Sequence, residues 1–335
     1  MNRFFFVCAL VLSAVSLAMA QTPDPPLPEA QECQPRQGWP HFFRKLQKPG
    51  TAIRIGYLGG SITAQPGWRP KTLAYFQKTY PEAQFSEINA AIGGTGSDLG
   101  VFRLHRDVLS KKPDLLFVEF AVNDSGAPTE QIVRSMEGIV RQTRKSLPEC
   151  DLCFVYTVTE STVPPLLEGK SPRAAAAMEQ VAERYGIPSI HLATEVARLA
   201  RAGKLVWQAP LPKSDTEKAA LGDKVVFAND GVHPYPETGH ELYFQAITRS
   251  LEPIKAASAA LKKSKLPVPL SATNYERATL SPIEPKLLSA GFVKLDPATD
   301  STAKYLAGMT GGLYRANKPG EALTFRFKGT YAALY

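Results

Sequence analysis

The stretch TAIRIGYLGGSIT, Thr51 to Thr63, decides how the chain is read. Its first part carries Ile53, Ile55, Tyr57 and Leu58 with little polar interruption, then halts on Gly59, Gly60 and Ser61. A short apolar run rich in β-branched and aromatic residues is a strand covered on both faces. A serine at the tip of such a strand is either a turn residue or a nucleophile, and only the rest of the chain can separate the two.

Four more runs share the pattern: QFSEINAAI (84–92), DLLFVEFAV (114–122), DLCFVYTVT (151–159) and PSIHL (188–192). Helical patterns lie between and after them, at 68–79, 97–111, 128–146, 171–185 and 193–203, and a long final helix falls in YPETGHELYFQAITRSLEPI. Strand alternating with helix predicts a doubly wound α/β layer structure on a five-stranded parallel sheet. Functional groups of such sheets gather at the carboxyl ends of the strands.

The chain has 335 residues, 44% hydrophobic and 21% charged, enough for a packed core and more than one unit. Its net charge of +8 is dispersed, the longest basic cluster being LKKSK near Lys262, so no nucleic-acid partner is expected. Arg3, the apolar run FFFVCALVLSAVSLAMA and the Ala18-Met19-Ala20 site predict a signal peptide over 1–20, cleavage near Ala20, and a secreted or periplasmic protein. A retained anchor is the alternative, and the polar, proline-rich QTPDPPLPEA that follows favours cleavage. No other run is long enough to insert stably in a membrane. An N-terminal extension follows over 21–49, the main α/β domain over 50–255, a linker or docking strap over 256–271, and a β-rich segment over 272–335. EALTFRFKGTYAALY alternates like a strand and stops at Tyr335; it reads either as the start of a cut-off domain or as a tail that pairs back onto the main one.

Beyond the leader stand Cys33, Cys150 and Cys153. They permit at most one intramolecular disulfide, a Cys33–Cys150 bridge being conceivable, and a buried, inert Cys153 is the plain reading. His41, His105 and His191 are isolated, without metal-ligand spacing, so no metal is expected. GGTGSDLG places Leu99 where a dinucleotide fingerprint needs its third glycine, and no cofactor is expected.

Four loops carry the remaining polar signal: Gly59-Gly60-Ser61, NAAIGGTGS (Asn89–Ser97), Asn123-Asp124 and NDGVHP (Asn229–Pro234). Ser61 needs a base, which His233 supplies; His233 needs a partner for its other nitrogen, and Asp230 stands three residues earlier. The Ser61 N–H, the Gly94 N–H and the Asn123 amide are candidate donors to an oxyanion. Asp124 reads as a loop-fixing hydrogen-bonder, Ser97 as a cap of its own helix, and His240 as structural. Trp68 is equally a pocket wall or a core residue.

GGSIT, NAAIGG, VND and DGVHP, in this order, resemble the four blocks of the SGNH (GDSL-type) hydrolase superfamily over about residues 50–255. The resemblance implies a flavodoxin-like three-layer α/β/α fold and a serine esterase. It assigns Ser61 as nucleophile, Gly94 and Asn123 as oxyanion donors with the Ser61 N–H, Asp230 as orienting acid and His233 as base. Gly60 departs from the pattern, which usually has an acidic residue before the serine. Export, the GGSIT block and a trailing β-rich segment resemble the carbohydrate esterases, which implies an acylated polysaccharide or small ester as substrate. A lipolytic esterase or lysophospholipase of the same mechanism, and a non-catalytic carbohydrate-binding envelope protein, are the alternatives. The sequence sets no oligomeric state.

Overall fold

The structure, a computed structural model, describes residues 26–258, 266–306, 312–329 and 331–334. The expected leader over 1–20 lies outside the described residues, as does much of the expected linker.

In chain order the elements are β1 (Cys33–Gln34), α1 (Pro40–Leu46), β2 (Ala52–Gly59), α2 (Ser61–Ala64), α3 (Trp68–Thr79), β3 (Gln84–Asn89), α4 (Ser97–Asp107), β4 (Leu115–Glu119), α5 (Thr129–Ser146), β5 (Asp151–Tyr156), α6 (Pro164–Leu167), α7 (Arg173–Tyr185), β6 (Ser189–His191), α8 (Thr194–Arg201), β7 (Leu205–Gln208), α9 (Asp215–Leu221), β8 (Val225–Ala228), α10 (Gly239–Ala257), β9 (Phe292–Lys294), α11 (Ser301–Leu306) and β10 (Tyr314–Ala316).

The main sheet runs β1-β6-β5-β4-β2-β3. Its five long-predicted strands are parallel, and only the two-residue β1 pairs antiparallel, at the β6 edge. β3 and β4 flank β2 on opposite sides, so the chain reverses its winding there. The carboxyl ends of β2 and β4 lie at that switch, where sheets of this kind place their ligand crevice.

Every residue of β4 and β5 is buried, as expected of central parallel strands. One face packs on α1, α3, α8 and α10 through Trp39, Phe42, Phe76, Val196 and Ile247. The other packs on α4, α5 and α7 through Leu104, Met136, Ile139 and Val181. Along α5, Ile132, Met136, Ile139 and Thr143 recur at three- and four-residue intervals and are all fully buried, which orients that helix on the sheet. Trp39 and Phe42 contribute to this core from within the expected extension, and each such buried aromatic is worth roughly 2–3 kcal/mol of hydrophobic stabilisation.

β7 and β8 form a separate parallel pair that the sequence reading did not anticipate. Past α10, the stretch around residues 267–276 is strapped across α5. Glu137 accepts the Leu270 and Ser271 N–H groups at 2.6 and 2.9 Å, and Arg141 pairs with Glu276 at 2.5 Å. β9 and β10 make a short antiparallel hairpin. The expected strand through Leu323–Phe327 does not form a ladder: Leu323 bridges Leu288, the Thr324 N–H bonds the Leu287 carbonyl, and beyond that no strand faces it among the described residues, leaving Phe325 and Phe327 exposed. Tyr331 packs its ring on Phe102 and Tyr275. Cys33, Cys150 and Cys153 are free thiols, and burial pushes all three up from the ordinary thiol value.

Candidate active site

β2 delivers the chain to the sheet edge, and Gly60 continues it extended, with φ −91° and ψ −157°. Ser61 then opens α2, a helix of four residues. One turn cannot hold itself, and its neighbours hold it instead. The Thr63 hydroxyl donates to Glu119 at 2.9 Å, while Arg69 donates to the Thr63 carbonyl at 3.1 Å. Arg69 is itself buried and paired with Glu87.

His233 and Asp230 reach the same edge on the loop after β8. Gly231, at φ +74°, takes the left-handed turn that this loop requires. The bridge from Ala228 to Pro234 closes its base. Asp230 Oδ1 accepts the Val232 and His233 N–H groups at 2.9 and 2.8 Å, an Asx turn that rigidifies the loop. Asp230 Oδ2 lies 2.7 Å from His233 Nδ1, and His233 Nε2 lies 2.9 Å from Ser61 Oγ. An acidic acceptor at Nδ1 places the proton there, which leaves Nε2 free to accept from the serine hydroxyl. Partial burial works to raise the Asp230 value, but its bonds to His233 and Val232 outweigh it and hold the carboxylate at about 2. It stays ionised wherever an esterase would work.

The glycine-rich loop after β3 closes over the serine. A Cβ built on Gly93 would sit 3.5 Å from Ser61 Cβ. Gly94, at φ +73°, is exposed, with nothing within 4 Å of such a Cβ. From the end of β4, Asn123 brings its amide flat against Gly60. All four sequence blocks thus meet at one place.

Asp124 is buried, and its Oδ1 accepts the Ser97 N–H at 2.9 Å. Burial pushes its carboxyl up to about 6. Ser97 was expected to cap α4 itself, but Gly96 occupies the cap position and Asp124 supplies the acceptor from across the crevice. Trp68 is fully buried edge-on to Tyr57 and Phe117, so it belongs to the core and not to a pocket wall. His240 is likewise buried, accepts the Trp68 N–H at 3.2 Å and is structural, pinning α3 to α10. His191 is buried at the end of β6 and His105 is exposed on α4. Among the described residues no cluster of three or more His, Cys, Asp or Glu side chains is arranged to hold a metal, and no helix is long and apolar enough to cross a membrane.

Sequence reasoning missed Glu119. It ends β4, is 1% exposed, and receives the Thr63 and Thr157 hydroxyls at 2.9 and 2.7 Å. The available signal was an acid inside LLFVEFAV, an otherwise apolar run.

The GDSL-like Lipase/Acylhydrolase family model matches residues 57–242, more than half of the chain. Comparison with curated proteins gives no match. Among solved structures, the chain is similar to a two-domain esterase active on acetylated mannans, co-crystallised with mannopentaose: 25% identity, TM-score 0.64, covering 86% of this chain and 71% of that one. A second structure of such an esterase matches with 25% identity and TM-score 0.62, over 78% of this chain and 66% of that one. An acetylxylan esterase from Geobacillus stearothermophilus shares 18% identity over 61% of this chain and 96% of its own, with a TM-score of 0.45, a likeness too slight to bear on this chain. With the family match spanning the serine turn, the glycine loop and the histidine loop, the chain belongs to the GDSL-like lipase/acylhydrolase family and is a serine ester hydrolase.

Proposed function

We propose that Ser61 is the nucleophile, His233 its general base and Asp230 the orienting acid, and that the substrate is an acetylated polysaccharide. The observation that carries the first part is the continuous relay from Asp230 Oδ2 to His233 Nδ1 at 2.7 Å and from His233 Nε2 to Ser61 Oγ at 2.9 Å.

In the forward step Ser61 Oγ attacks the ester carbonyl carbon as its proton passes to His233 Nε2. The imidazolium that forms is stabilised by the ionised Asp230. The carbonyl oxygen becomes an oxyanion beside the Ser61 N–H, the Gly94 N–H and the Asn123 amide. Ser61 is the first residue of α2, so its N–H has no acceptor inside the helix. Collapse of the intermediate breaks the C–O bond to the sugar, and His233 returns its proton to the departing alcohol. Water, activated by His233, then attacks the acetyl-serine by the same path and releases acetate.

Support for a glycan ester comes from the similarity to the mannan-active esterase and from the rim of the site. Glu160 Oε2 and Gln208 Oε1 lie 3.1 and 3.8 Å from where a Cβ on Gly231 would sit, so acidic and amide oxygens border the histidine loop. Such acceptors suit sugar hydroxyls better than an acyl chain. Removal of residues 1–20 and export would place the enzyme where polysaccharide is found. Acetate release from acetylated mannan and xylan, set beside p-nitrophenyl esters of increasing chain length, tests the substrate. Preference for the acetylated glycans supports it, and preference for long acyl esters favours a lipolytic role.

A further inference from the structure

Glu119 presents a chemical puzzle. A carboxyl with 1% exposure sits in the middle of the sheet edge, where burial raises its value and the nearby Asp124 adds to the rise. Placing a charge there is costly unless every lone pair is used. Two threonine hydroxyls meet it, one on each oxygen: Thr157, just past β5, at 2.7 Å and Thr63, inside α2, at 2.9 Å. Thr63 lies two residues past Ser61.

We infer that Glu119 is the positioning residue of the nucleophile turn: by holding the Thr63 hydroxyl on a buried carboxyl that is also tied to Thr157, it sets the orientation of the Ser61 hydroxyl. The inference rests on the assignment of Ser61 as nucleophile.

The geometry explains how. Gly59 pairs with Glu119 across β2 and β4, so the carboxylate lies directly beside the point where the chain leaves the sheet. The Thr63 contact fixes the roll of α2 about its axis: Thr63 is two residues past Ser61, and tying it down sets where Ser61 Oγ lies relative to His233 Nε2. Thr157 ties the same carboxylate to β5 and keeps it from turning away.

A leucine fills a similar volume but offers neither threonine hydroxyl an acceptor. Misplacement of a nucleophile by about 1 Å costs on the order of 100-fold in rate. Glu119→Leu is therefore expected to lower kcat on p-nitrophenyl acetate by about 10- to 100-fold with little change in KM. The rate is to be taken per serine titrated with a fluorophosphonate, and the rate of that labelling should fall with kcat. Because Glu119→Leu risks misfolding, Thr63→Val, which removes the donor from α2, is measured in parallel. It should lose more turnover per titrated serine than Thr157→Val, which leaves the contact to the serine turn in place. A purely structural Glu119 would reduce the number of titratable sites and the melting temperature while leaving turnover per site within about twofold of wild type, and that result overturns the inference. If wild-type protein is not labelled at Ser61, the assignment of the nucleophile has failed instead, and the two failures are told apart.

Discussion

Asn123 lies against Gly60 so closely that a Cβ on the glycine would sit 1.9 Å from Asn123 Oδ1. The residue before the nucleophile is acidic in the usual block of this superfamily, and here the Asn123 amide occupies the space a side chain would need. Glycine is required for the approach, and its left-handed freedom plays no part, since φ at Gly60 is −91°. Gly60→Ala should displace the Asn123 amide and lower kcat about 10-fold or more, by partial loss of an oxyanion donor. Steady-state kinetics on p-nitrophenyl acetate, with a melting curve to establish folding, checks it.

Removing that amide outright is the stronger perturbation. Asn123→Ala should reduce kcat by about 10²- to 10³-fold, the range for loss of a single oxyanion donor, with KM nearly unchanged. Intact kcat with a raised KM would move Asn123 from the oxyanion site to a substrate-binding role.

Asp230 and Asp124 make a paired test. Asp230→Asn should lower kcat by about 10⁴-fold, because the imidazole is then held in the wrong tautomer. Asp124→Asn retains an oxygen for the Ser97 N–H and should cost far less. Reversal of this order would assign the orienting acid to Asp124.

Acidic groups buried in the native state set the pH dependence of stability. Burial pushes Asp151 up to about 7, against bonds from the His41 and Phe42 N–H groups at the start of α1, and pushes Asp124 up to about 6. Each therefore binds a proton more readily folded than unfolded. The stability each contributes is full below about pH 4 and is lost as pH rises, through about 6 for Asp124 and about 7 for Asp151. His191 and His240 act oppositely: burial lowers them to about 4 and about 3, so their contribution is present above the ordinary histidine value and is lost as pH falls through that window. Asp151→Asn should flatten the decline between about pH 4 and 7, an effect on the order of a few kcal/mol at neutral pH. Urea denaturation across that range measures it. An unchanged slope would mean that Asp151 titrates normally in the folded protein.

The five parallel strands were legible because each is a short apolar run between helical patterns, and they fall within a few residues of their expected limits. The meeting of Ser61, Asp230 and His233 was legible because polar and acidic residues at strand ends have little structural reason to recur in that order. What was missed depends on tertiary contact. β1 is two residues long and exists only through its pairing with β6. β7 and β8 pair with each other outside the main sheet, so neither run adds to the strand-helix alternation. Trp39 and Phe42 read as part of a polar extension, and Trp68 as an even choice, because burial is decided by what the fold brings over them. Alternation through Leu323, Phe325 and Phe327 looked like a strand, yet a strand also needs a partner, and here pairing stops at the single Leu288–Leu323 bridge and its flanking backbone bonds from Ser289 to Ala322 and from Thr324 to Leu287. Glu119 was hidden by its neighbours: an acid in an apolar run gives no sign of the two threonine hydroxyls that converge on it.

The central claim is that Ser61 carries the acyl group. Brief incubation with an activated acetate ester, acid quench and peptide mass spectrometry locate the acetyl-enzyme directly. The account predicts one added acetyl group on the peptide containing Ser61, absent from Ser61→Ala, whose turnover should fall by at least about 10³-fold. An acetyl group on another residue, or a Ser61→Ala protein that turns over at the wild-type rate, would contradict it.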